Sequence, residues 1–267
     1  MSYFIYDAFQ AISVHGQDAK NYLQGQLTND VNKLSFDSPL QLTALCNQKG
    51  RIIALFFLYY VSDDNFILTL PKNLTEQAIT ALRKYAVFSK VSFDATDNYQ
   101  LVFQQGNPLT SQAQNPPTLY QHCILSNDAI AHIQKDAHPI SFEEVMYQNI
   151  LQKLPLIDIF NSEKFLPAEL NLDELKAVSY EKGCFMGQEI IARMKYRGNL
   201  KKSLYAISIK PKLEITDDLY DIHGKKVADI VNHSAIEDTN YVLGIFNNAI
   251  TPESIELSNE GLIRILS

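Results

Sequence analysis

The feature that most limits the fold is residues 52–61, IIALFFLYYV, the longest apolar run in the chain. A membrane-spanning helix needs roughly 20 apolar residues, so this run is far too short for one. Its isoleucines and aromatics suit a strand buried on both faces. Such a strand needs pairing partners and covering layers. A chain of 267 residues has enough material for both, since at this size roughly 73% of the unfolded surface can be buried.

The partners can be read on either side. Residues 40–46 form a second apolar run, joined to the first by Asn47-Gln48-Lys49-Gly50, which is good turn chemistry. Residues 66–70 follow after the polar turn Asp63-Asp64-Asn65. Further strands are expected at 87–93, 101–104 and 120–125. Apolar residues at helical spacing predict helices over 18–30 and 74–85. Ser141 with Glu144 three residues on is a capping-box pattern, predicting a helix to about residue 152. Residues 106–117, with three prolines and mostly polar side chains, read as a long loop.

From Ser203 the texture changes. Short strands at 204–209, 220–222, 227–231, 241–246, 255–257 and 262–266 alternate with turns and without helices. That pattern suggests a small barrel or sandwich and places a domain boundary near residue 200. The division is then 1–200 and 201–267.

Composition excludes several classes. Lys plus Arg is 23 against 30 Asp plus Glu, a net charge of −7. A nucleic-acid coat or polybasic membrane binder is not built this way. Three cysteines argue against a disulfide framework and match no zinc spacing, so no metal is expected. The N-terminus lacks the basic and apolar regions of a secretory signal. A cytoplasmic protein is the expectation.

The chemistry concentrates in residues 180–193, YEKGCFMGQEIIAR. Gly183 and Gly187 bracket Cys184 and allow close backbone approach. A helical pattern starts at Gln188, with Glu189 and Arg193 four residues apart in the acid-then-base order. Cys184 thus precedes a helix N-terminus and lies beside Lys182, and both features favour a thiolate. An isolated free cysteine is more often inert packing, and that reading stands beside the first. Cys46 and Cys123 sit within apolar strand patterns and read as core. Residues 181–202 hold six cations against two carboxylates, a net of +4 that leaves −11 elsewhere. Such a local patch suits an anionic ligand; a solvated helix face gives the same pattern.

The octapeptide Lys182-Gly183-Cys184-Phe185-Met186-Gly187-Gln188-Glu189 resembles the signature of the bacterial YgfZ family, the folate-binding branch related to the glycine-cleavage T-protein. Tyr22 to Val31, Lys49-Gly50-Arg51, Lys84 to Val91, Pro167 to Leu172 and Ala192 to Gly198 resemble further family segments, in family order. The resemblance implies an α+β fold, a T-protein-like folate-binding region around a central channel followed by a small C-terminal β-barrel. It implies tetrahydrofolate or a derivative as ligand. It implies iron–sulfur client or assembly proteins as partners, with tRNA thiolation affected indirectly and no direct nucleic-acid binding. On this reading Cys184 is the functional thiol and Lys182 its helper. Phe9, Val145, Gly183, Gly187, Gln188, Glu189, Arg193 and Arg197 are the candidate folate contacts, Phe9 and Val145 standing where close relatives carry tryptophan.

Two departures bear on activity. The T-protein branch carries a catalytic aspartate after the hairpin glycine, whereas residues 50–62 here contain no carboxylate. That branch also lacks the cysteine. An aminomethyltransferase, which needs an acid or base at the folate nitrogen, is therefore a rival reading, and a non-catalytic scaffold is another.

Overall fold

The computed structural model describes residues 2–105, 121–198, 200–257 and 261–266. The elements run β1 (Ser2–Ile5), β2 (Phe9–His15), α1 (Ala19–Gln26), β3 (Leu40–Cys46), β4 (Ile52–Ser62), β5 (Asn65–Pro71), α2 (Thr75–Arg83), β6 (Ser92–Thr96), β7 (Tyr99–Gln105), β8 (His122–Ser126), α3 (Asn127–Asp136), β9 (His138–Pro139), α4 (Phe142–Leu151), α5 (Gln188–Arg197), β10 (Lys202–Lys210), β11 (Asp218–Tyr220), β12 (Lys226–Ile236), β13 (Thr239–Asn247) and β14 (Leu262–Ile265). The chain divides into two compact units. One holds 1–140, 157–167 and 172–193; the other holds 141–156, 168–171 and 194–267.

The first unit is built on two sheets, ordered β3-β4-β5-β2-β6 and β8-β7-β1-β9. Strand β4 lies inside the larger sheet, antiparallel to β3 and β5, and residues 52–58 are all buried. Burial on both faces is why its sequence shows no alternation. A shared aromatic core joins the two sheets. His122 of β8 stacks on Phe57 of β4 at 4.9 Å between centroids, and its ring nitrogen Nε2 hydrogen-bonds the Tyr6 hydroxyl at 2.7 Å. Helices α1 and α2 pack on this frame through Tyr22, Leu23, Ala78 and Leu82. Residues 87–91, expected as strand, are instead a turn that leaves Val87 and Phe88 exposed, and pairing begins only at Ser92.

In the second unit α4 starts with the expected box. Ser141 Oγ accepts from the Glu144 amide at 3.2 Å, while the Glu144 carboxylate accepts from the Ser141 amide at 2.9 Å. The helix packs on β12 and β13: Ser234 Oγ donates to the Glu143 carbonyl, and Tyr147 meets Tyr241 at 4.3 Å. The C-terminal sheet has the order β11-β12-β13-β10-β14, all antiparallel. It does not close as the expected barrel, because no strand pairing joins β11 to β14 among the described residues. One amide, Ile222 N–H to the Glu256 carbonyl, bridges the segments beyond those edges. Residues 255–257, expected as a strand, follow a 3₁₀ turn, but Ile255 and Leu257 are buried in the core this sheet encloses. The expected boundary at 200 compares with Met194 here, and α4 joins the later unit because its apolar face covers β12. The expected loop at 106–117 lies outside the described residues.

Candidate functional site

The 184–193 segment is held against the β3–β4 hairpin by backbone contact. Asn47 organises the hairpin, its side-chain oxygen accepting from the Lys49 and Arg51 amides at 2.9 and 3.0 Å. Gly50 and Gly187 both adopt left-handed conformations, φ +73° and +79°. A Cβ on Gly187 would stand 2.6 Å from the Asn47 carbonyl oxygen and 3.0 Å from Gly50 Cα. Only glycine permits that approach. Helix α5 then starts at Gln188, where the sequence places it.

Lys182 ties the same segment to the end of α1. Its ammonium donates to the carbonyls of Leu27 at 2.7 Å and Asn29 at 2.8 Å, and lies 5.2 Å from the Phe185 ring centroid. Burial lowers its pKa to about 8, opposed by the Asp30 carboxylate. The ammonium is thus engaged with backbone carbonyls, where a helix C-terminus offers unpaired acceptors. These partners are not legible in the sequence, because they are main-chain atoms 155 and 153 residues away. Thr28 adds a second tie, donating to the Ala177 carbonyl at 2.7 Å and accepting from the Ala44 amide at 2.9 Å.

These ties assemble a cavity of about 530 Å³ within the first unit. Its walls draw on Gln26 of α1, Asn47, Lys49 and Arg51 of the hairpin, Lys84 and Tyr85 after α2, Glu163, and Met186. Segments scattered over 160 positions of sequence therefore meet at one hollow, and pockets of 300–1,000 Å³ are typical of small-molecule sites. The residues on this wall were not among the candidate contacts read from the sequence, and Glu163 lies outside every segment singled out there. Its carboxylate accepts from Asn47 Nδ2 at 2.7 Å and from Gln77 Nε2 at 3.2 Å. Its backbone pairs with the start of β4, where the Glu163 amide donates to the Ile52 carbonyl.

The candidates fall as follows. Cys184 is exposed, two positions before Met186 on the cavity wall. Gly183, Glu189 and Arg193 are exposed, Gly187 and Gln188 half-buried. Glu189 and Arg193 lie on α5 without an ion pair between them among the described residues. Arg197 ends α5, and its side chain lies outside the described residues. Phe9, in the first unit, packs on Tyr6 at 4.8 Å; Val145, in the second, is fully buried. Neither lines this cavity. Cys46 and Cys123 are buried, as expected, and burial pushes both thiols up, Cys123 to about 12. Among the described residues no cluster of three or more metal-ligating side chains occurs.

Residues 3–110 match the family described as the GCVT N-terminal domain. A glycine cleavage system aminomethyltransferase T from Bartonella henselae superposes with a TM-score of 0.73 over 100% of this chain and 85% of its own, at 16% identity. The fold class is thus that of the glycine-cleavage T-proteins, α+β in content. An uncharacterized protein of Haemophilus influenzae is 33% identical over 95% of this chain and 92% of its own length. The tRNA-modifying protein YgfZ of Escherichia coli is 29% identical over 93% of this chain and 86% of its own. The chain belongs to the YgfZ family.

Proposed function

We propose that this chain is a cytoplasmic folate-binding protein that supports the assembly or repair of iron–sulfur clusters. Its effect on tRNA would be indirect, through cluster-dependent modifying enzymes. The observation that carries the reading is the convergence of four of the six family-like segments, 22–31, 49–51, 84–91 and 182–189, on one cavity. The residues present suit a folate. Lys49, Arg51 and Lys84 offer charge to tail carboxylates, and Tyr85 and Met186 offer surface to a ring. A bound folate would supply one-carbon or redox chemistry. The protein's own part is to bind, orient and shield it, and to present the exposed thiol of Cys184 nearby in sequence.

The absence of a carboxylate from β4 weighs against the aminomethyltransferase reading. Two measurements test the proposal. A thermal-shift titration with tetrahydrofolate and folinic acid should show stabilisation of about 2.7 kcal/mol at 100 times the dissociation constant. In cells lacking the native protein, Cys184→Ser should bind folate normally yet fail to restore a cluster-dependent enzyme. Full complementation by that variant would favour a scaffold over a thiol mechanism.

A further inference from the structure

Between α2 and β6 the chain makes a turn of which only the first two residues serve the cavity. Lys84 and Tyr85 line that hollow; Val87 and Phe88 do not. They stand out into water instead, Val87 76% and Phe88 100% exposed. Folding gains nothing by leaving them there, since apolar surface is stabilised by burial.

An apolar tip on a loose connection would mean little, but this one is fixed in place. The Lys90 amide donates to the Asp18 carboxylate at 2.7 Å, and the Lys90 carbonyl accepts from the Asp18 amide at 3.3 Å. Gly16, at φ +131°, lets that carbonyl come so close that an added Cβ would lie 2.2 Å from it. Within the turn the Ser89 amide donates to the Ala86 carbonyl, and across its base the Arg83 guanidinium donates to the Phe93 carbonyl. Val87 and Phe88 are therefore presented by a preorganised backbone, which lowers the cost of ordering on association.

The charge around the tip identifies its occupant. Residues 83–91 carry Arg83, Lys84 and Lys90 and no carboxylate. The β3–β4 hairpin adds Lys49 and Arg51, and it is joined to the turn where Gln48 Nε2 donates to the Tyr85 hydroxyl at 3.3 Å. Lys90 Nζ donates to the neutral Gln17 Oε1 at 3.3 Å, and no ion pair engages Lys84 or Lys90 among the described residues. The carboxylates set against these cations, Asp18 and Glu163, are each held by amide donors. A partner covering the tip must bring an apolar pocket with Asp or Glu on its rim. A second copy docking through the same face would set five cations against five. An anionic bilayer would repel a chain of net charge −7, and one Phe with one Val buries too little to anchor it there.

We infer that Val87 and Phe88 form a docking knob for an acidic-rimmed partner protein, oriented by Lys84, Lys90 and the hairpin cations. The inference adds an interaction surface to the function proposed above and does not depend on folate.

The test places a photo-crosslinking benzoylphenylalanine at position 88 of the full chain, in cells at native level, with the half-exposed Tyr220 of β11 as the control position. Irradiation should give one protein adduct from position 88 that position 220 does not give. Peptide mapping should put it at an apolar segment flanked by Asp or Glu. The mapped protein is then purified and titrated against the chain. Phe88→Ser and Lys90→Glu should each weaken that binding at least tenfold, and added salt should weaken the wild type. Neither residue lines the cavity, so both variants should keep the wild-type melting temperature and the wild-type response to folinic acid. That readout keeps a failure of docking apart from a failure of the folate reading. No adduct, an adduct only with a second copy or with lipid, a mapped surface without carboxylates, or undiminished binding by either variant each overturns the inference.

Discussion

Lys182 shows how a residue's neighbours decide its work. Beside a cysteine in sequence, it looks like a thiol activator; in the structure its ammonium closes the end of α1. Its folded pKa of about 8 lies below the ordinary lysine value of 10.5, with burial the larger cause. Between those two values the unfolded chain binds more protons than the folded one, so stability rises with pH across that window. Below pH 8 both states are charged, and the cost of burying the ammonium is fully present. Urea unfolding at pH 7.5, 8.5 and 9.5 should therefore show the wild type gaining on Lys182→Met as pH climbs. A constant difference would mean the ammonium is not desolvated. The thiols supply a second residue-scale prediction. Iodoacetamide on the folded protein should label Cys184 first, leaving Cys46 and Cys123 protected until denaturant is added. Labelling of either buried thiol at a comparable rate would contradict their place in the core.

At the scale of elements, the contact between the hairpin and the approach to α5 depends on Gly187. Gly187→Ala meets both an adverse φ and a 2.6 Å clash with the Asn47 carbonyl. The expected cost is about 2 kcal/mol or more, measured by denaturant midpoint at unchanged m-value. Gly25→Ala, where an added Cβ meets nothing within 4 Å, should cost far less and serves as the control. The elements were legible where local chemistry dominates: the capping box of α4, the two-sided burial of β4, the start of α5. They were illegible where tertiary context overrides. Residues 87–91 carry strand-like side chains but are pinned as a turn by Asp18, whose carboxylate accepts from the Lys90 amide. Strand β2 and helix α3 went unread because Phe9, Ala11, Ile12 and Val14 break strict alternation, and the apolar residues of α3 are confined to 129–133, too short a stretch to show a helical period. Glu163 was invisible because its partners lie 116 and 86 positions away.

For the whole molecule, the cavity belongs to one unit and the C-terminal sheet to the other. Hydrogen exchange in saturating folinic acid should slow amides of the β3–β4 hairpin, α2 and the 184–193 segment. Amides of β10 to β13 should exchange as in the free protein. Protection spread evenly over both units would place the ligand elsewhere. No helix among the described residues is long and apolar enough to cross a membrane.

The Lys182 tie also orders events during synthesis. One end of the cavity wall is Gln26 and the other is Met186, so a ribosome must have made most of the chain before the hollow can exist. Until then the chain just after α1 lacks the ammonium that Leu27 and Asn29 will later bind through their carbonyls. A nascent chain can therefore build its β4 sheet early, but it cannot take up ligand until the cysteine segment has emerged and docked. Binding competence is in that sense a timestamp on translation, acquired late and all at once.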